Sequence, residues 1–232
     1  MGIITQASSY AAQIDNLILI VGVFVAFWFF LAQGIIFYFL FKFSAKNNSK
    51  GEYITGEKHS EKKFIHWAHW GVIACDLVIV FFAIKAWYHV KQELPPADTT
   101  IKVIGQQWAW KFVHPGPDNI LETEDDIVTI DELHIEVDKV HHFKLTSLDV
   151  LHDFSVPVFR LKQDAVPGRV ITGWFKPTKT GEYDIQCAEM CGIGHGIMMA
   201  KLTINSKEAH SSWLREPGIK YAYKNNLPED DN

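Results

Sequence analysis

From Leu17 to Phe41 the chain reads "LILIVGVFVAFWFFLAQGIIFYFLF", without one charged residue. About 20 consecutive apolar residues are enough to cross a bilayer as a helix, so this run constrains everything after it. A second run, "FIHWAHWGVIACDLVIVFFAIKAWYHV", covers Phe64–Val90 and is interrupted by Asp76 and Lys85. A buried helix of a soluble protein is the plain alternative for the second run. Its length and the aromatic residues near both ends favour a membrane span. A cleavable signal peptide would explain one such stretch but not two. The first also lacks a preceding basic segment and a small-residue cleavage site. The expected anchor is therefore residues 1–94, with helices at about 17–43 and 64–90. An intramembrane Asp is costly and by default marks a polar interior or a partner contact, and Asp76 is read so.

The connecting loop carries Lys42, Lys46, Lys50, Lys58, Lys62 and Lys63, whereas no Lys or Arg precedes Leu17. Positive charge stays on the cytoplasmic side. Both termini and everything after the second helix are thus expected outside. The absence of a transit peptide points to a bacterial plasma membrane rather than a mitochondrial one. With a net charge of −5, the chain has no basic footprint for nucleic acid.

Pro95 and Pro96 break the second helix. Beyond them, "IKVIGQQWAWKFV", "IVTIDELHIEV", "HHFKLTSL", "GRVITGWF", "GEYDIQC" and "IMMAKLTI" are rich in β-branched and aromatic residues, with turn residues between them. Short strands at this spacing predict an all-β sandwich or barrel over residues 95–205. "SKEAHSSWLRE" predicts a short helix capped by Asn205 or Ser206, and "YKNNLPEDDN" a loose polar tail, so 206–232 forms a third segment.

The chemistry concentrates in "CAEMCGIGHGIM", Cys187–Met198. Of the three cysteines, Cys75 lies in the second apolar run and is a plain filler. A disulfide between Cys187 and Cys191 is the first simple reading, but it would close only a tight loop, with His195 and Met198 close behind. Structural zinc is the second, and a thioether ligand argues against it. Thioether, thiolate and imidazole together suit copper. Two thiolates imply more than one ion, and each ion then needs its own imidazole. One is His195. The other comes from among His114, His134, His141, His142, His152 and His210. Of these, His152 in "DVLHDFSVP" stands between apolar residues at an expected loop entry.

"QWAWKF", "DVLHDFSVP", "KQDAVPGR" and "CAEMCGIGHGIM", in this order and behind a two-helix hairpin, resemble subunit II of the haem–copper cytochrome c oxidases. The resemblance spans nearly the whole chain. It implies a cupredoxin-like Greek-key β-domain with a binuclear copper centre, CuA. Cys187 and Cys191 would bridge two coppers, and His152 and His195 would each bind one. Met198 and the Glu189 carbonyl would be weak axial ligands. The Glu189 side chain would reach a magnesium or manganese ion at the boundary with subunit I. Electrons would arrive from cytochrome c through Trp108 and leave for a haem in subunit I, with subunit III a further partner. Oxygen would be reduced in subunit I, coupled to proton pumping. Relatives also carry a glutamate near the start of the second helix, where this chain has His66, with Glu61 just before it.

Trp108, Trp110 and Phe112 alternate, which predicts one face of one strand. Trp110 and Phe112 are read as core, and the resemblance puts Trp108 at the surface. Nine acids and no Lys or Arg short of Lys139 occupy the stretch from Asp118 to Asp138. Such a run is usually a solvated face, and on an electron acceptor it also steers a basic donor. Asp149 is a further docking candidate, because the family has an acid there. No C-x-x-C-H haem attachment site occurs. Two alternatives share parts of this pattern. A quinol oxidase subunit II lacks the copper ligands present here, and a membrane-anchored CuA carrier with another partner does not need "DAVPGR".

Overall fold

The computed structural model describes residues 4–44, 46 and 55–215; Lys50 and the expected loose tail 223–232 lie outside the described residues. The chain divides into two compact units. One is Gln13–His89, and the other joins the described residues up to Ala12 to those from Val90 onward.

The first unit holds α1 (Ala11–Lys42) and α2 (His59–Trp87), followed by a π turn over Tyr88–Gln92. Both helices are long and apolar enough to cross a membrane. Large apolar side chains such as Phe30 and Trp67 are exposed along them, as lipid-facing residues are. Each helix starts before its apolar run. At α2 the polar residues Glu61, Lys62 and Lys63 are good helix formers and carry the helix back to His59. Glu61 Oε2 accepts from the Gly56 amide at 2.9 Å, tying down the entry to α2.

The second unit is a sandwich of two five-stranded sheets. The strands are β1 (Thr99–Gln106), β2 (Ala109–His114), β3 (Ile127–Ile130), β4 (Glu132–Glu136), β5 (His141–Ser147), β6 (His152–Val156), β7 (Leu161–Ala165), β8 (Ile171–Phe175), β9 (Gly181–Cys187) and β10 (Met199–Asn205). One sheet has the order β3-β2-β1-β5-β8 and the other β4-β10-β9-β6-β7. Each contains one parallel pair, β1 with β5 and β4 with β10, among antiparallel neighbours. This is the expected cupredoxin-like sandwich. The core forms where the inward rows meet. Phe154 of one sheet stands 5.5, 6.3 and 5.9 Å from Trp110, Phe112 and Phe143 of the other. All four side chains are buried.

Several expected segments divide differently. "IVTIDELHIEV" is two strands in different sheets, because Asp131 adopts positive φ (56°) and turns the chain from one sheet to the other. Its Oδ1 accepts from the Trp110 amide at 2.7 Å, which fixes the crossing. Strands β6 and β7 lie outside the stretches read as strand-like, with Pro157 between them. Between them Pro157–Phe159 makes a 3₁₀ turn. Downstream, α3 (Lys207–Trp213) is capped by Ser206, whose side chain accepts from the Ala209 amide.

The segment before α1 belongs to the sandwich. Ala7 and Tyr10 are fully buried. The Ala7 amide donates to Val158 O at 2.9 Å, and Ala7 O accepts from Thr178 N at 2.8 Å. Ser8 Oγ donates to Phe159 O, and Tyr10 packs edge-on against Trp174 at 5.4 Å. Arg160 donates to the carbonyls of Ile4 and Thr5.

Candidate metal centre

Strand β9 ends on Cys187, and the loop that follows returns to β10 through a 3₁₀ turn over His195–Ile197. The Cys187 amide donates to Met198 O at 3.1 Å, closing the loop at its base. Ala188 N donates to Asp153 O at 3.1 Å, fixing the loop to β6. Two sulfurs, two imidazoles and a thioether converge inside it.

The thiols are free, with Cys187 Sγ 3.7 Å from Cys191 Sγ. His152 Nδ1 lies 3.9 Å from Cys187 Sγ, and His195 Nδ1 lies 3.7 Å from Cys191 Sγ. Glu189 O is 3.2 Å from Cys187 Sγ, and Met198 Sδ is 3.8 Å from Cys191 Sγ. Each thiol thus has one imidazole and one weaker donor. His152, Cys187 and Cys191 present ligand atoms all within 4.8 Å of one another. Burial, and then the neighbouring Cys187 thiol, push the Cys191 thiol up to about 11. Two buried thiols this close ionise together only against positive charge, which a bound metal supplies. The paired donor set fits two soft ions sharing the thiolates better than one tetrahedral zinc, which has no use for the thioether.

His152 is not at a loop entry. It is the first residue of β6 and fully buried. The pairing of Phe154 with Cys187 brings β6 and β9 side by side, which sets His152 near the thiols. A Cβ at Gly105 would lie 3.0 Å from the His152 ring, so the absent side chain makes room for the imidazole. Of the other candidate histidines, His142 Nε2 lies 2.7 Å from Pro95 O. His114, His134, His141 and His210 line a separate cavity of about 200 Å³ beside Trp213.

Trp108 does not share a strand with Trp110 and Phe112. It sits with Gln107 in the tight turn between β1 and β2, half-buried, while Trp110 and Phe112 are fully buried. Trp108 Nε1 and Gln107 Nε2 both donate to Cys191 O, at 3.2 and 2.8 Å. The indole lies flat enough on the loop that a Cβ on Gly194 would fall 2.4 Å from Trp108 Cδ2.

The acidic run is not one solvated face. Asp126 is buried and its Oδ2 accepts from Glu122 N, while Asp131 is spent on Trp110. Glu122 pairs with Lys102 at 2.5 Å. The Glu189 side chain is exposed beside the loop. Sequence reasoning missed a carboxyl pair near it. Asp153 and Asp164 face each other across β6 and β7. Burial, and then Asp164, push Asp153 up to about 6. The signal was an acid directly after the candidate ligand His152. Asp149, read as a docking acid, accepts from His152 Nε2 at 2.8 Å.

The fold and site define a class: a membrane-anchored cupredoxin-like domain with a two-thiol, two-imidazole loop. The family model described as cytochrome c oxidase subunit II, periplasmic domain, matches residues 99–205. The alternative cytochrome c oxidase subunit 2 of Bradyrhizobium diazoefficiens is 32% identical over 216 residues, covering 84% of this chain and 74% of that protein. Cytochrome c oxidase subunit 2 of Cereibacter sphaeroides is 29% identical over 96% of this chain and 82% of its own length. A crystal structure of the periplasmic domain of cytochrome oxidase subunit II from Bradyrhizobium japonicum aligns with TM-score 0.47 and 31% identity, over 53% of this chain and 94% of that one. The chain belongs to the cytochrome c oxidase subunit II family. It is accordingly a membrane-anchored subunit of an oxidoreductase complex and associates with other oxidase subunits.

Proposed function

We propose that this chain is the electron-entry subunit of its oxidase, taking electrons from cytochrome c and passing them to haem in subunit I. Cys187, Cys191, His152 and His195 would hold a binuclear copper centre, with Met198 and Glu189 O as weak donors. When bound, such a centre would supply a one-electron carrier. The chain's own part is to hold the donors in register, to keep water from the sulfurs by burial, and to keep Nδ1 of both imidazoles toward the thiols. The observation that carries this reading is the matched environment of the two sulfurs, one imidazole and one weaker donor each. The exposed Glu189 side chain would hold magnesium or manganese at the subunit I boundary, and subunit III would complete the complex. The copper domain and both termini would lie on the periplasmic side, which the docking of residues 4–11 on the β-domain supports. Metal analysis with EPR on the detergent-held chain should find two coppers per chain sharing one unpaired electron. Zinc, or a single copper, would overturn the reading.

Trp108 would be the point of electron entry, since its indole lies on the ligand loop and donates to the carbonyl of Cys191. Gly194→Ala should displace the indole while leaving every ligand side chain in the sequence unchanged. Electron entry from cytochrome c, followed by stopped flow, should slow on the order of 10-fold or more, in line with the steep dependence of rate on positioning. Copper content should stay at the parent level. Equal loss of copper and rate would make Trp108 a packing residue instead.

A further inference from the structure

Four histidines from four elements gather at the end of the sandwich remote from the cysteine loop. His114 closes β2 and Thr99 opens β1, and both line the cavity there. The turn at the other end of the same two strands, Gln107–Trp108, touches Cys191. His114, His134 of β4, His141 of β5 and His210 of α3 share this one cavity of about 200 Å³. Trp213 binds three of them together, with the rings of His114, His134 and His210 at 5.0, 4.4 and 5.5 Å from it. Asp98 and Glu136 also line the cavity, opposed by Lys139.

Hydrogen bonds fix the tautomers of two of these rings. His141 Nε2 lies 2.8 Å from Glu136 O, and a carbonyl only accepts, so the proton is on Nε2 and Nδ1 keeps its lone pair. His114 Nε2 lies 3.2 Å from Thr129 Oγ1. The Thr129 hydroxyl spends its own proton on Glu132 O, so His114 also donates from Nε2 and keeps the lone pair on Nδ1. Nδ1 of His141 and Nδ1 of His210 are buried without a hydrogen-bond partner, which is costly for a polar atom. An imidazole that gives one N–H to a protein oxygen and keeps a lone pair on the other nitrogen is set as metal-ligating histidines are. Burial pushes His114 down to about 3 and His141 and His210 down to about 4, so the rings are neutral, the ligating form, near pH 7.

We propose that this cavity is a second metal site, taking one divalent transition-metal ion of the zinc class through His114 Nδ1, His141 Nδ1 and His210. Imidazoles without a thiolate suit zinc, copper(II) or nickel, and the carboxylates of Asp98 and Glu136 favour positive charge in the cavity. Among the described residues, only His152, Cys187 and Cys191 bring three ligand atoms within 4.8 Å of one another. Binding here therefore draws the rings inward. His210, partly buried on the seven-residue α3, is the ring that turns in.

The test uses the detergent-held full chain with Cys187→Ser and Cys191→Ser together, so that the cysteine loop does not compete and the outcome is independent of the copper reading. Zinc binding is measured by equilibrium dialysis, and cobalt(II) reports the ligands through its visible spectrum. One zinc per chain should bind, and cobalt in the site should show no thiolate charge-transfer band. Adding His210→Gln should weaken zinc by at least the roughly 10–100-fold that loss of a supporting partner typically costs. His114→Gln and His141→Gln should do the same, and His142→Gln, outside the cavity, should leave the affinity unchanged. Zinc should also raise the denaturation midpoint, an effect that His210→Gln removes. No saturable zinc binding in the double-serine chain, or equal affinity in His210→Gln, would overturn the proposal. If the buried-histidine variants fail to fold, His210→Gln decides alone. If the double-serine chain fails to fold, the same comparison is made on the parent after its cysteine loop has been loaded with copper.

Discussion

Cys191→Ser is expected to abolish the shared-electron EPR signal. A serine hydroxyl does not ionise near neutrality and is a hard donor, so it replaces neither the charge nor the softness of a bridging thiolate. The loss at Cys191 is compounded by its neighbours. His195 Nδ1 and Met198 Sδ both gather on this sulfur, at 3.7 and 3.8 Å, and its removal leaves them without a common centre. Cys187→Ser should lose the signal too, while leaving the His195–Cys191–Met198 set intact. Any residual copper should therefore be mononuclear, and more of it in Cys187→Ser than in Cys191→Ser. Met198→Leu, which removes only a weak donor, should shift the potential and keep both coppers. An unchanged spectrum in either serine variant would show that the thiols do not bridge.

The second large effect is acid lability of the β-domain. Burial, and then the neighbouring histidines, push His114 down to about 3. Burial pushes His141 and His210 down to about 4. Their folded values lie below the unfolded value near 6.5, so the unfolded chain binds protons first as pH falls. The stability they contribute is complete above pH 6.5 and is lost between there and pH 4 to 3. Each fully buried histidine contributes about 1.4 kcal/mol of loss per pH unit in that window. Against a total of ~5–15 kcal/mol this is a large share. Asp153, Asp126 and Asp131 oppose part of it, because burial raises all three carboxyls, Asp153 to about 6. The denaturation midpoint of the detergent-held chain, followed from pH 7 to 4, should fall steeply below 6.5. His114→Gln should flatten the slope by about one proton. A flat midpoint from pH 6.5 to 4.5 would mean that the imidazoles are protonated in the folded domain.

The parts of this protein legible in its sequence are those whose physics is local. The uncharged run at Leu17–Phe41 needs only its length, the Cys187–Met198 loop only its donor types, and α3 only the Ser206 cap. What escaped depends on partners distant in the chain. His152 was found as a ligand candidate, but its place at the head of β6 follows from pairing with β7 and β9, which no local pattern encodes. Trp108 looked like a strand residue because it alternates with Trp110. The Gln107 amide is held instead by Asp149, which bends the chain there. Asp131 divides two strands between two sheets within an unbroken β-like stretch. The four-histidine cavity draws on β2, β4, β5 and α3, and none of those segments singles out its histidine.

The short segment ahead of α1 has a consequence for biogenesis. It is made well before its packing partners Val158, Phe159 and Trp174. Until those residues emerge, the Tyr10 ring and the Ala7 backbone have nothing to close against. Completion of the β-domain therefore requires that the leading segment be delivered to the same compartment. Insertion of the hairpin and closure of the sandwich become one ordered process, in which a leading segment retained on the opposite side would leave the domain permanently unsealed.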